Sequence, residues 1–297
     1  MYSRELEGHS LWAWTAAAAS APFAWALGSV TWVWTLGLGI AIFALWLLAA
    51  GRTRGRIPKW LAIPEWALLT VALSMAAQKC GDCWITAAHP GAFPLVLLAL
   101  AACSAASGCR AGARCGAVLF WFVAGMFLLL GVFSVQEAEL SNLAPRFTSP
   151  GERVIPFLLP GAAVLLPRKK GSTPWQWGLL LLLTALGISV LTAGVLSPGV
   201  AENSEGAFFQ MARGISILGV AERFEAVVAA ALTLGWFCLM SLLLTAGGHM
   251  AETMKEGAGG WAVGASALIA WGLGYVGFAP NPLLLAGAML LLWLIIP

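Results

Sequence analysis

Long apolar runs separated by short polar connectors dominate this sequence. An α-helix of about 20 apolar residues crosses a hydrocarbon core about 30 Å thick. The runs predict ten spans, near residues 11–27, 30–50, 61–78, 91–107, 116–135, 153–167, 174–196, 224–247, 258–277 and 281–296. The sixth run is short and rich in proline, so eight or nine spans are alternatives. We expect an all-α polytopic membrane protein, with residues 1–297 forming a single transmembrane domain.

Composition supports this prediction. Hydrophobic residues make up 60% of the chain and charged residues 10%, whereas soluble domains carry about 25% charged residues. A surface facing water is therefore excluded for most of the chain. The first residues lack the basic patch and cleavage site of a secretory signal, so the first run is expected to remain as a span.

The distribution of Lys and Arg predicts an orientation. With the N-terminus in the cytoplasm, eleven of the 16 basic residues lie on the inner side, mainly in the connectors 52–59, 110–114 and 168–170. Basic connectors favour the cytoplasmic face of a membrane. The bias therefore predicts both ten spans and a cytoplasmic N-terminus.

An internal repeat is the expected organisation, with halves near residues 1–145 and 146–297. Each half has five spans, an odd number, so the second half is inverted relative to the first. Many transporters are organised in this way, and the first helix of each half is broken. Proline removes a backbone donor and kinks a helix, which predicts breaks at Ala19–Pro22 and at Pro156–Gly161. For the first span, the alternative is that Pro22 simply ends the helix. Amide groups at such a break could receive a carboxylate.

Chemical motifs are few. The sequence has no His pair at metal spacing, no phosphate-binding loop and no nucleophile elbow, so neither an enzyme nor a cofactor is predicted. Cys80 and Cys83 form a CxxC pattern, for which a disulfide, a redox pair and simple packing are the alternatives. Glu65 lies only a few residues into the third span, so no buried carboxylate relay is predicted. This favours sensing or facilitated movement over ion coupling, although sodium sites built from carbonyls stay open.

The outer connector between the seventh and eighth spans contains an apolar stretch. Residues 206–220 are too apolar for a free loop and predict a short helix on, or dipping into, the outer face. An interfacial helix that serves only packing is the alternative.

Three segments carry a family resemblance. The first is Arg213-Gly214-Ile215-Ser216-Ile217 with Glu222-Arg223 and Gly235-Trp236-Phe237; the others are Gly112-Ala113-Arg114 with Asn142-Leu143-Ala144-Pro145, and Ser3-Arg4-Glu5-Leu6. In this order they resemble the spore germination permease family, the GerAB-type B subunits of nutrient germinant receptors, within the amino acid–polyamine–organocation superfamily. The chain departs from the family in its short connectors and in Cys238, which stands where a lysine is common.

The resemblance implies a ten-span inverted-repeat fold in the inner membrane of a bacterial endospore. It also implies a ligand the size of an amino acid, and two partners, an A-type membrane subunit and a C-type lipoprotein. The expected ligand-binding residues are Ser20, Pro22, Ser74, Pro160, Gly161 and Trp236. Arg213, Glu222, Asn142 and Pro145 are expected to act in a gate or as structural residues. For each wall residue the alternative is plain helix packing.

Two other functions remain open at this point. An amino-acid or amine permease would transport its ligand without partner subunits. A non-binding scaffold would only assemble the receptor complex.

Overall fold

The structure described here is a computed structural model. It describes residues 5–27, 32–53, 57–82, 92–143, 154–169, 175–203, 206–214 and 224–295. In these ranges the regular structure is helical, apart from one isolated bridge between Leu6 and Arg168. The predicted all-α class is thereby confirmed for the described part of the chain.

Twelve α-helices lie in the described ranges. They are α1 (Gly8–Leu27), α2 (Trp32–Thr53), α3 (Lys59–Asp82), α4 (Ala92–Ala106), α5 (Cys109–Glu137), α6 (Ile155–Leu158), α7 (Trp175–Val195), α8 (Ser197–Asn203), α9 (Ala207–Gly214), α10 (Phe224–Met254), α11 (Gly259–Tyr275) and α12 (Pro282–Ile295). Two 3₁₀ segments add Leu140–Leu143 and Leu159–Leu165. We call the second one the central 3₁₀ segment.

In the described ranges, five helices are long and apolar enough to cross a bilayer. They are α2, α3, α5, α7 and α10, each with at least 21 residues in its apolar stretch. Shorter apolar helices occur at Ala92–Ala106, Ile155–Leu165 and Pro282–Ile295. A helical membrane protein follows from these lengths, while the ten-span inverted repeat stays a proposal.

The buried centre is formed by α1 and α10. Of the 20 residues of α1, most are buried on every side, and 72% of the most apolar window of α10 is buried. In contrast, only 17% of the corresponding window of α5 is buried, and its exposed side chains include Val118, Trp121 and Leu128. A helix that is apolar and buried all round belongs to the core of a bundle, so α5 faces lipid while α1 does not.

The expected break in the first span is wrong. Pro22 lies inside α1, which continues without interruption to Leu27; the helix is therefore neither broken nor ended by this proline. Ser20 Oγ donates to the Ala17 carbonyl at 2.6 Å, and hydroxyl groups of this kind help a buried membrane helix to tolerate proline. Close packing of this turn against α10 holds it in place.

The sixth run does depart from an α-helix, as predicted. Its single α-helical turn, α6, passes directly into the central 3₁₀ segment. Four α-helical residues and seven 3₁₀ residues extend over about 20 Å, which is short of a 30 Å hydrocarbon core. The backbone from Ile155 to Leu166 is buried throughout, and irregular backbone at membrane depth is tolerated only when protein surrounds it.

The predicted short helix after α7 is confirmed as far as the structure describes it. It is α9, with Phe208 and Met211 buried and Gln210 and Arg213 exposed. The Phe208 ring stacks on Phe127 of α5 at 5.3 Å between centroids. This helix therefore dips into the bundle by its apolar face.

Candidate functional site

The central 3₁₀ segment lies in the middle of the bundle, among α1, α2 and α10. Phe157, just before it, places its ring 5.1 Å from that of Phe23 on α1 and 5.9 Å from that of Phe43 on α2. These aromatic contacts stabilise the N-terminal end of the segment, because ring pairs at such distances attract each other beyond the effect of the area they bury.

The C-terminal end of the segment is held by Arg168. This side chain is buried, although the sequence placed it in an exposed inner connector. Its guanidinium donates to the carbonyls of Val164 and Ala50. The carbonyl of Ala50 belongs to the last turn of α2, where helix carbonyls lack partners within the helix and attract cations.

Gly161 lies directly beneath two tryptophan rings. A β-carbon at this position would lie 2.6 Å from Trp46 Nε1 and still closer to the ring of Trp293. The absence of a side chain at 161 is thus what allows both indoles to approach the backbone. No open space for a ligand is left beside Gly161 in this arrangement.

The nitrogens of both indoles are unused hydrogen-bond donors, and that of Trp46 lies beside Gly161, which Trp293 approaches through the far edge of its ring. Trp46 Nε1 and Trp293 Nε1 are buried and have no acceptor among the described residues. Buried donors are almost always paired in native proteins, so an unpaired donor calls for an explanation such as a bound ligand or water. A carboxylate is an acceptor that would suit such indole N–H groups. We call Trp46, Gly161 and Trp293 the indole pair site.

A second group of predicted residues meets where α1 crosses α10. A β-carbon on Gly235 would lie 2.5 Å from Ser20 Oγ and 2.9 Å from the Ala21 β-carbon. Trp236, the next residue, is 1% exposed. Small residues at a crossing let two helices approach closely, so Ser20 and Gly235 serve packing here.

Pro22, Ser74 and Pro160 are buried as well. Pro22 lies in the α1 turn just described, and Pro160 precedes Gly161 in the central 3₁₀ segment. Ser74 lies on α3, which packs chiefly against α10, and its hydroxyl has no hydrogen-bond partner among the described residues. The predicted ligand residues therefore come from the same core but do not surround one open space.

A cavity of about 350 Å³ does touch one of them. Ser20 lines it together with Phe127 of α5 and Ile188 of α7, whereas Ser74, Pro160, Gly161 and Trp236 do not. The lining is almost entirely apolar. This cavity therefore differs from the site predicted for an amino acid.

The residues predicted for a gate are only partly described. Asn142 Nδ2 donates to the Gly194 carbonyl at 3.0 Å, which joins the end of α5 to the end of α7. The Arg213 guanidinium lies 5.5 Å from the centre of the Phe209 ring. Glu222 and Pro145, together with Cys83, lie outside the described residues. Cys80 is buried.

Glu65 is the residue whose environment the sequence analysis missed. Its side chain is 0% exposed, and neither carboxylate oxygen has a hydrogen-bond partner among the described residues. Position along the span suggested a site near the membrane surface, but the face of the helix decides burial. Buried leucines lie on the same face of the helix as Glu65, at Leu61, Leu69 and Leu73. This pattern could have been found in the sequence.

No metal site is suggested by the described ranges, in which no three His, Cys, Asp or Glu side chains group together. No model of a known protein family matches the chain, and no curated protein is similar enough to count as a relative.

Proposed function

We propose that this chain is the membrane subunit of a spore germinant receptor that senses a small nutrient, most simply an amino acid. The resemblance in the segments around Arg213, Asn142 and Trp236 supports the family. The observation that supports a ligand is the indole pair site, where two tryptophans with unpaired buried N–H groups pack against an interrupted helix at the centre of the bundle. A-type and C-type subunits in the endospore inner membrane are the partners that this function requires.

In the proposed mechanism, the ligand carboxylate accepts hydrogen bonds from Trp46 Nε1 and Trp293 Nε1. The two rings fill the space beside Gly161, so they must move apart when the ligand enters. This movement changes how α2 and α12 pack against the central 3₁₀ segment. A ligand that binds better when the two indole rings are apart shifts the population toward that state. The partner subunits would respond to the altered packing.

The test removes the indole N–H groups but keeps an aromatic ring at each position. Trp46→Phe and Trp293→Phe each remove one N–H with little change in packing, whereas a larger side chain at Gly161 would disrupt the fold. Loss of one hydrogen bond to a charged acceptor, about 1.5–3 kcal/mol, predicts a rise of about tenfold or more in the nutrient concentration needed for germination. The measurement is loss of optical density in spores given single nutrients.

Trp121→Phe serves as the matched control, because Trp121 is 75% exposed on the lipid-facing side of α5. An unchanged response in both indole variants, in a strain without redundant receptors, would exclude the site. Normal complex formation without any ligand-dependent stabilisation would instead support the non-binding scaffold.

A second candidate function is favoured by Glu65. Ionisable side chains buried within a span commonly mark ion or proton pathways, and a carboxyl group with this burial fits a cation-coupled amino-acid or amine permease. Reconstituted vesicles that hold this chain alone would then take up amino acid along a proton or sodium gradient. Glu65→Gln would abolish uptake, while Glu256→Gln, in an exposed connector, would leave it intact. No uptake across a broad panel would exclude the permease.

A further inference from the structure

A polar cavity of about 260 Å³ lies where α1 and α5 begin. Three cationic side chains, Arg110, Arg114 and Lys169, line it together with the carboxylates of Glu5 and Glu7. Lys169 Nζ lies 3.5 Å from Glu7 Oε1. With that pair matched, two guanidinium groups stand against one further carboxylate, so the cavity has a net positive charge.

Backbone structure fixes this cavity and adds to its positive potential. Leu6 N donates to the Pro167 carbonyl at 3.0 Å, and Lys169 N donates to the Leu6 carbonyl at 3.1 Å. The strand-like pairing holds Leu6 beside Lys169. The N-terminal ends of α1 and α5 also meet here, and helix N-termini carry partial positive charge. The cavity thus favours an anion.

An apolar groove follows the same helices further along. This is the cavity of about 350 Å³, lined by α1, α5 and α7 and by Phe208 of α9. Its polar side chains are Ser20 and Thr184, whose hydroxyls donate to the carbonyls of Ala17 at 2.6 Å and Leu180 at 2.8 Å within their own helices. The groove therefore offers a polar solute almost nothing, but it suits a hydrocarbon chain.

The two cavities are close enough for one molecule to occupy both. From Ser10 to Ala16 on α1, and from Arg114 to Phe120 on α5, six residues correspond to about 9 Å of helix. Phe120, the α5 residue of the groove nearest in sequence to the polar cavity, pairs with Trp177 at 5.7 Å between ring centroids. Along α5 the lining changes from basic to apolar, as a lipid changes from headgroup to acyl chain.

We propose that this chain binds an anionic phospholipid, with its phosphate at Arg110, Arg114 and Lys169 and an acyl chain in the groove between α5 and α7. Basic pockets between membrane helices recognise anionic headgroups in this way. The site is separate from the indole pair site and does not depend on the proposed function.

The headgroup is tested on the full chain in nanodiscs of dioleoylphosphatidylcholine with increasing dioleoylphosphatidylglycerol. We expect the anionic lipid to raise the unfolding midpoint, and the double variant Arg110→Gln and Arg114→Gln to weaken lipid binding about 30-fold, since each basic side chain near a membrane contributes about fivefold. The matched control, Arg52→Gln with Lys59→Gln, removes two exposed cations outside the cavity. An equal loss in both double variants would reduce the effect to general surface charge and overturn the site.

Inorganic phosphate, added to nanodiscs of phosphatidylcholine alone, distinguishes a lipid from a free anion. Stabilisation by phosphate equal to that by phosphatidylglycerol would overturn the lipid assignment. Each variant is first compared with the parent chain in phosphatidylcholine, where equal midpoints show that the fold is intact. If the double variant melts lower, native mass spectra of each single Arg→Gln variant are measured instead. Less retained phosphatidylglycerol than in the parent chain supports the site, and equal retention overturns it.

The acyl chain is tested with Gly187→Leu, which fills the groove from α7. Gly178→Leu lies on the same helix outside the groove, and a β-carbon at either glycine meets no atom within 4 Å. We expect native mass spectra to show less retained phosphatidylglycerol for Gly187→Leu alone. Equal retention in the two variants would show that the acyl chain lies elsewhere.

Discussion

The indole nitrogen of Trp14 donates a hydrogen bond to the backbone carbonyl of Cys238 at 3.1 Å. The ring of this tryptophan also covers Gly112 and Gly116, one turn apart on α5. A single buried side chain on α1 therefore joins α5 to α10. Glycines at this spacing form a flat surface on which a neighbouring helix can pack closely, which accounts for Gly112 and Gly116 in structural terms.

Gly116→Ala should destabilise the fold. A β-carbon at 116 would lie 2.7 Å from the β-carbon of Trp14 and nearer to its ring, and the rigid indole cannot move without breaking its bond to Cys238. Overpacking of this kind costs about 1–3 kcal/mol. The measurement is the unfolding midpoint in nanodiscs. Gly125→Ala, on the same helix with no atom within 4 Å, should leave the midpoint equal or slightly higher; equal losses would contradict the packing account.

Asn142→Ala should cost about 1 kcal/mol, the usual net value of one hydrogen bond. The Gly194 carbonyl at the end of α7 accepts from Asn142 Nδ2 and from Glu139 N at 3.1 Å, so one donor remains after the substitution. Asn142→Asp should cost more, because a carboxylate would face that carbonyl. Ser107→Ala provides the reference, since this exposed hydroxyl donates to the Cys103 carbonyl one turn earlier in the chain. An Asp variant as stable as the parent chain would mean that position 142 acts only through its shape.

Membrane topology can be tested with single cysteines in a chain without its native cysteines. If ten spans are present, Ser107→Cys and Glu256→Cys lie on one side, and Val276→Cys, 82% exposed beyond α11, lies on the other. A membrane-impermeant maleimide added to intact cells should label Val276→Cys alone when the N-terminus is cytoplasmic. Labelling of Glu256→Cys together with Val276→Cys would show that α11, 17 residues long, does not span the membrane.

Helix positions followed closely from the sequence, because apolar length and polar connectors decide where a membrane helix begins and ends. The interruption at Pro160 and Gly161 was also predicted, since proline changes the local backbone whatever its neighbours are. Pro22 shows the limit of this reasoning. The same local effect is overcome there by Ser20 and by tight packing against α10, and neither can be inferred from a proline alone.

The candidate site was harder to predict because it depends on contacts between distant parts of the chain. Trp46 and Trp293 were not singled out from the sequence, yet both are buried beside Gly161. Similarly, Arg168 was counted as an exposed inner charge but binds the end of α2. Packing determines which of the tryptophans are buried, and this cannot be inferred from composition.

Glu65→Leu should raise the stability of the isolated chain. A carboxyl group that is buried without hydrogen bonds costs about 1–3 kcal/mol, and leucine at this face would extend the row of Leu61, Leu69 and Leu73. Glu65→Gln keeps a buried polar group and should fall below Glu65→Leu in its unfolding midpoint, while Glu256→Leu at an exposed position should change little. If Glu65→Leu instead melts lower than the parent chain, the carboxyl group has a partner such as a cation in the membrane. That result would strengthen the permease as the function of this chain.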